Sequence, residues 1–274
     1  LGKGVRQTTT GGETVLFRHE KTFFNPTLFA ATISSDIDAA ELDKAVKVYN
    51  AFQYERVGLN LRPELLVVKD AGSGAKSFAA VAGKIAKESE FNLVLMTQDL
   101  DVMKAGVEAA GFKRPLLYAA TEGNVDDMGA LAKDNDLPLA VKADSVEALI
   151  PLTEKLTGMG IKDLVLDPGS RDIKQALEDQ VAIRRAALKA SNKALGFPTI
   201  TFPCEMASNL DMETLIAGMM VAKYGGIVVM SDFTTESLFP LLLERLNIYT
   251  DPQRPMTVTE GIFEIGNPDE NSPV

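Results

Sequence analysis

Polar side chains gather where short apolar runs end, and those are the residues that could do chemistry. In chain order they are Arg18-His19-Glu20-Lys21, Lys69-Asp70, Thr97-Gln98, Thr121-Glu122-Gly123-Asn124, Lys142-Ala143-Asp144, Asp167-Pro168-Gly169, Pro203-Cys204-Glu205 and Ser231-Asp232. A lysine at the end of a buried strand can lose its proton through desolvation and form a Schiff base, which makes Lys69 and Lys142 candidates for aldolase chemistry. Each is followed closely by an aspartate, Asp70 or Asp144, which would hold it protonated, so rim ion pairs are the competing reading. His19 is the one side chain whose ordinary titration lies near neutral pH, but Arg18 and Glu20 flank it in a charged loop. Cys204 has no neighbour in sequence that stabilises a thiolate and reads as a structural thiol. Asp144 and Asp232 stand where carboxylates cap helices, and Asp167 before Pro-Gly suits a turn. Gly123, Gly169 and the Ala71-Gly72-Ser73-Gly74 turn could cradle a phosphate, a weak signal at this spacing.

The elements that must position these groups follow from the apolar pattern. Eight runs recur: Thr14–Phe17, Leu65–Val68, Leu93–Thr97, Leu116–Ala120, Pro138–Val141, Leu164–Leu166, Thr199–Phe202 and Ile227–Met230. They are unbroken rather than alternating, as strands buried on both faces are. Amphipathic stretches lie between them, such as Leu42, Ala45, Val46, Tyr49 and Phe52 at three- and four-residue steps. Asp38 with Glu41 and Asp144 with Glu147 have capping-box spacing, and Gly111, Asn135, Gly160, Gly196 and Gly225 stand where helices should stop. Eight strand–helix units predict an α/β fold, a parallel (β/α)8 TIM barrel over residues 1–250, ahead of an open doubly wound sheet. Asp251–Val274, with four prolines and a short extended run, reads as a C-terminal extended linker. The apolar arcs of Leu215–Tyr224 and Leu238–Leu246 are wide enough to suggest burial against another domain or subunit.

Composition removes several function classes. The net charge of −10 argues against nucleic acid and against an anionic membrane surface. No apolar run reaches the roughly 18 residues that a spanning helix needs. One cysteine and one histidine build neither a zinc site nor a cubane iron–sulfur cluster, so no metal site is expected in this chain, and a reducing cytoplasm suits it. The start at Leu1, without an initiator Met or a signal-like run, suggests a truncated or processed fragment.

Longer motifs point to a family. Phe17-Arg18-His19-Glu20-Lys21-Thr22-Phe23-Phe24-Asn25-Pro26, Pro115-Leu116-Leu117-Tyr118-Ala119-Ala120-Thr121, Leu164-Val165-Leu166-Asp167-Pro168-Gly169, Leu246-Asn247-Ile248-Tyr249-Thr250-Asp251-Pro252 and Glu270-Asn271-Ser272-Pro273-Val274 run in collinear order along the chain. Together they resemble the large (gamma) subunit of the corrinoid iron–sulfur protein of the acetyl-CoA decarbonylase/synthase pathway. The resemblance implies a carrier with an N-terminal [4Fe–4S] domain, a middle barrel and a C-terminal cobalamin domain, paired with a small barrel subunit. It further implies a methyl group taken from methyltetrahydrofolate through a partner methyltransferase and passed to acetyl-CoA synthase. This chain matches the middle barrel alone, with its linker leading toward the corrinoid-binding domain. The expectation is therefore a scaffold without catalytic residues or a cofactor of its own. The alternative is a pterin-binding methyltransferase barrel, since Leu166-Asp167-Pro168-Gly169 resembles the sixth-strand turn of those enzymes. Asn124, Asp144 and Asp167 would then contact the pterin. Ser170-Arg171 follows that turn in place of the glycine and phenylalanine of the dihydropteroate synthase type, which weighs against pterin binding.

Overall fold

In the computed structural model, which describes residues 1–3, 7–12, 24–56 and 58–249, the apolar runs become eight parallel strands around one axis. The order along the chain is β1 (Leu28–Ser34), α1 (Ala39–Ala51), the strands β2 (Tyr54–Arg56) and β3 (Leu59–Leu61), β4 (Leu65–Lys69), α2 (Ala75–Glu88), β5 (Asn92–Met96) and α3 (Leu100–Ala110). Then come β6 (Leu116–Ala120), α4 (Val125–Asp134), β7 (Leu139–Lys142), α5 (Val146–Gly158), β8 (Leu164–Asp167) and α6 (Ile173–Lys189). The last four are β9 (Ile200–Thr201), α7 (Leu210–Ala222), β10 (Ile227–Met230) and α8 (Thr235–Tyr249). Apart from the antiparallel β2–β3 hairpin, every neighbouring pair is parallel. The ring closes between β8 and β9 through a single bridge, Leu166 to Thr199, where the Leu166 N–H donates to the Pro198 carbonyl at 2.8 Å.

Strand residues alternate between two apolar layers, which is why the runs are unbroken. Leu28, Ala30, Leu65, Val67, Val94 and Leu116 face the barrel interior. Phe29, Ala31, Leu66, Val68, Leu93 and Leu95 face outward under the helices. Successive strand side chains point to opposite faces, so a strand buried on both needs no polar position. No described helix is long and apolar enough to cross a membrane.

The first strand departs from the sequence reading. Thr14–Phe17, and with it Arg18-His19-Glu20-Lys21, lies outside the described residues, and the first barrel strand is Leu28–Ser34. The stretch Asp251–Val274 also lies outside them. Helix ends were only partly legible. Asp38 caps α1, accepting from the Ala40 N–H at 2.8 Å. At α5 the cap is Ser145, whose hydroxyl accepts from the Ala148 N–H, and Asp144 stands one residue too early. Ahead of α8, Thr234 and Ser237 exchange the capping bonds while Asp232 accepts from the Tyr49 hydroxyl at 2.5 Å. Of the five residues expected to stop helices in a left-handed conformation, only Gly160 has it; Arg114, Asp136, Ser191 and Tyr224 hold the others. Gly225 is needed for space instead, because a Cβ there would sit 2.6 Å from the Met220 carbonyl oxygen.

At the N-terminal end of the barrel, α8 is fastened to the sheet by Arg245. Its Nη1 donates to both oxygens of Glu64, at 2.8 and 2.9 Å, and to the Thr27 carbonyl; its Nη2 reaches the Arg62 carbonyl. The guanidinium also lies 5.0 Å from the centre of the Phe29 ring. Glu64 accepts the Phe29 N–H in addition, at 3.2 Å.

Candidate functional site

The C-terminal rim of such a barrel is where ligands and catalysis are found, and here its centre is an ion-pair network. Asp167 closes β8 and is 1% exposed. It accepts a forked pair from Arg171, Nη1 to Oδ1 at 3.1 Å and Nη2 to Oδ2 at 2.9 Å. The Tyr118 hydroxyl donates to Oδ2 at 2.5 Å and the Gly169 N–H to Oδ1 at 2.8 Å. Four donors on two oxygens satisfy the carboxylate from within the chain. Arg171 continues outward, its Nε donating to Glu205 at 2.5 Å and its Nη2 reaching the Tyr118 oxygen at 3.2 Å. Its guanidinium stacks 4.4 Å above the Phe202 ring, which meets the Tyr118 ring edge-on at 5.2 Å. Lys69 completes the chain with an ion pair to Glu205 at 3.5 Å.

The local fold explains why these groups meet. Tyr118 follows Leu116 by two residues, so it points inward, and its position at the rim lets the hydroxyl reach β8. Gly169 turns the chain with φ of 82°, and a Cβ there would lie 2.4 Å from the Ala143 carbonyl oxygen. Only glycine permits that approach, and it aims Arg171 back over Asp167. Burial pushes the Tyr118 phenol up, and the Asp167 charge and hydrogen bond add to this, so the phenol stays a proton donor. For Arg171, burial alone would lower the guanidinium, but Asp167, Tyr118 and Glu205 outweigh it and hold the group well above its ordinary value.

The residues singled out from the sequence fare differently. Asp167 is in the network. Asn124 shapes its own loop, accepting from the Thr121 N–H at 2.7 Å and donating to the Ala119 carbonyl at 3.3 Å. Asp144 is exposed at the edge of a lateral cavity. Lys69 pairs with Glu205 rather than with Asp70, which accepts from Thr97 at 2.9 Å and from the Gly72 N–H. Lys142 makes no ion pair with Asp144 or any other described carboxylate. The Ala71–Gly74 turn leads into α2 without a side-chain cap, its Ser73 hydroxyl bonded to Ser35 at 2.8 Å. Tyr118 and Arg171 were not foreseen as site residues; the inward register of Tyr118 and the charge four residues after Asp167 were the available signals.

Cys204 is a partly buried free thiol. Burial pushes its thiol up to about 12, and Glu213 and Glu205 contribute. The thiolate fraction near neutral pH then falls by about three orders of magnitude relative to a free cysteine. Iodoacetamide labelling followed by intact-mass measurement is expected to leave Cys204 unmodified at pH 7 in the folded chain and to modify it in urea. Labelling of the folded chain at the rate of a free thiol would contradict this. Among the described residues, no group of three or more His, Cys, Asp and Glu is placed to hold a metal ion.

Above the network lies a cavity of about 240 Å³ lined by Lys69, Met96, Thr97, Gln98, Lys142 and Arg171 among others. A larger one of about 650 Å³ opens beside it, between the loops after β6 and β7 and the start of α5, and shares Gln98 and Lys142.

Comparison with known proteins places this barrel. A family model described as "CO dehydrogenase/acetyl-CoA synthase delta subunit" matches residues 1–274. The chain belongs to this family. The Moorella thermoacetica "Corrinoid/iron-sulfur protein large subunit" is 40% identical over 274 residues, covering 100% of this chain and 61% of that protein. The "Acetyl-CoA decarbonylase/synthase complex subunit gamma" of Methanopyrus kandleri is 36% identical over 286 residues, with 100% and 61% covered. The family description says delta where these relatives are named large or gamma; the chain is similar to the latter over its whole length. It spans about three fifths of the length of those relatives. Among solved structures, dihydropteroate synthase from Vibrio fischeri superposes with a TM-score of 0.61 at 11% identity, covering 88% of this chain and 100% of the other. The Xanthomonas albilineans enzyme in complex with 7,8-dihydropteroate gives 0.59 at 12%, with 84% and 96% covered. At that identity the likeness shows the barrel fold alone. The family read from the motifs is the one found, and its membership lends no support to the Schiff-base aldolase.

Proposed function

We propose that this chain is the scaffold barrel of a corrinoid iron–sulfur methyl carrier, docking a small barrel subunit and tethering the cofactor-bearing parts of the full-length protein. The observation that carries this reading is the self-satisfied Asp167: the buried member of the groups that would grip a pterin is bonded by Arg171, Tyr118 and the Gly169 N–H of the chain itself, and Asn124 is spent on its own loop. Asp167 has no acceptor site left for a ligand N–H without displacing Arg171 or Tyr118. The cavity directly above Asp167, about 240 Å³, is also below the range of about 300–1,000 Å³ usual for small-molecule sites. One cysteine does not fit a [4Fe–4S] cluster, so both cofactors belong to other parts of the carrier, with Asp251–Val274 leading toward the cobalamin domain. The methyl group would pass from methyltetrahydrofolate, through a methyltransferase, to acetyl-CoA synthase, in the cytoplasm.

Support for docking comes from α7, whose outer side leaves Leu215 69% and Met212 46% exposed. Large apolar side chains in that state suit a protein interface. The test pairs two titrations. The full-length protein is expected to form a one-to-one complex with the small subunit, weakened by Leu215→Glu, and methyltetrahydrofolate is expected to give no heat with the barrel. Saturable folate binding that Asp167→Asn abolishes, with no subunit complex, would overturn the reading in favour of a pterin-binding methyltransferase barrel.

A further inference from the structure

The half-buried Lys142 closes β7 at the point where the two rim cavities meet, and its ammonium has no described carboxylate partner. The other rim cations, Lys69 and Arg171, are paired to Glu205 and Asp167. We propose that the lateral cavity binds an organic monocarboxylate, its head on Lys142 and its short apolar body against Val125, Ala148, Pro151 and Leu152. Three features select this class. Lys155, the other cation that lines the cavity, is paired to Asp126 at 2.7 Å, which leaves the Lys142 ammonium, a point charge without the planar fork that favours phosphate and so suited to one carboxylate. Glu122 and Asp144 line the same cavity and would repel a second negative charge on the ligand. The cavity of about 650 Å³ lies within the size range of small-molecule sites, and an apolar wall on α5 faces the space beyond the lysine.

The site is separate from the scaffold role, because none of the residues assigned to the ligand belongs to the Asp167 network. Gln98 lines both cavities together with Lys142, and its amide would supply a second hydrogen bond to the head group. Ionised at neutral pH, such a ligand would need no proton transfer on binding.

Calorimetric titration of the full protein with acetate, hexanoate, benzoate and inorganic phosphate tests the assignment. Hexanoate or benzoate should bind saturably, more tightly than acetate, with phosphate weakest. Lys142→Gln should weaken hexanoate about tenfold or more, the loss of one charge-assisted hydrogen bond. Ala148→Phe, at an exposed helix position that should leave the fold intact, should abolish the advantage of hexanoate over acetate while leaving acetate unchanged. Thermal melting checks that both variants remain folded. Equal hexanoate affinity in the folded Lys142→Gln variant, tighter binding of phosphate than of any carboxylate, or no saturable heat from any probe would each overturn the proposal.

Discussion

Arg245→Ala is expected to lower the stability of the barrel by about 3–5 kcal/mol at pH 7, the range for breaking a buried ion pair from one side. The guanidinium is 11% exposed and the Glu64 side chain 16%, so solvent has little access to either charge. Arg245 holds both Glu64 oxygens and two backbone carbonyls, and it covers the Phe29 ring. Without it, Glu64 keeps only the Phe29 N–H. Burial already pushes the Glu64 carboxyl up, with Arg245 opposing, and the variant removes that opposition. A folded-state carboxyl raised above its unfolded value binds more protons than the unfolded chain does, so stability falls as pH rises between the two values. The deficit should therefore be greatest at neutral pH and shrink as pH falls toward the ordinary carboxylate range of about 4.3. Urea unfolding at pH 7 and near pH 5 reads this directly. A deficit independent of pH would mean that lost packing, rather than a stranded charge, sets the cost.

Arg171→Ala should cost about 2–4 kcal/mol, less than the first because the guanidinium is 24% exposed. The loss has two parts: the forked bond to a carboxylate that is 1% exposed, and the contact with the Phe202 ring. Arg171→Lys restores the charge but not the planar fork or the stacking, so it should recover less than half of the loss. Full recovery by lysine would show that charge alone holds the mouth together. The comparison of urea midpoints among the three proteins separates these outcomes, and a near-zero loss in Arg171→Ala would remove the network as a structural element.

The Arg245 clamp, and the reach of the Arg171 network to Tyr118 and Glu205, do not show in the sequence because those partners are brought together by the barrel. Glu64 precedes β4 and Arg245 lies on α8; Lys69 ends β4 and Glu205 follows β9. Adjacent strands such as β4 and β5 were legible because burial on both faces leaves an unbroken apolar run. By contrast, β1 was passed over. Its Ala30-Ala31 centre has little strand propensity, so the run lacks the β-branched signal of its neighbours. The strand β9 is only two residues long, yet it falls inside the run Thr199–Phe202 that the apolar pattern marks. At the site, Asp167 was found because the Asp-Pro-Gly turn is local. Arg171 was noticed only as a departure from a motif, although it lies four residues away. Its direction depends on the left-handed Gly169, which a run of letters does not display. Asp144 was misjudged as a cap by a single position, since serine and aspartate are equally good acceptors at a helix start.

The single bridge between β8 and β9 gives the ring a preferred order of opening. Most other neighbours are held by ladders several residues long, whereas this junction has the Leu166–Thr199 bridge and little else. When native fluctuations part the wall, they part it there first. The molecule then behaves less like a hoop than like a cuff with one light clasp at β8 and β9, while Arg245 keeps α8 fastened beside β1 and β4.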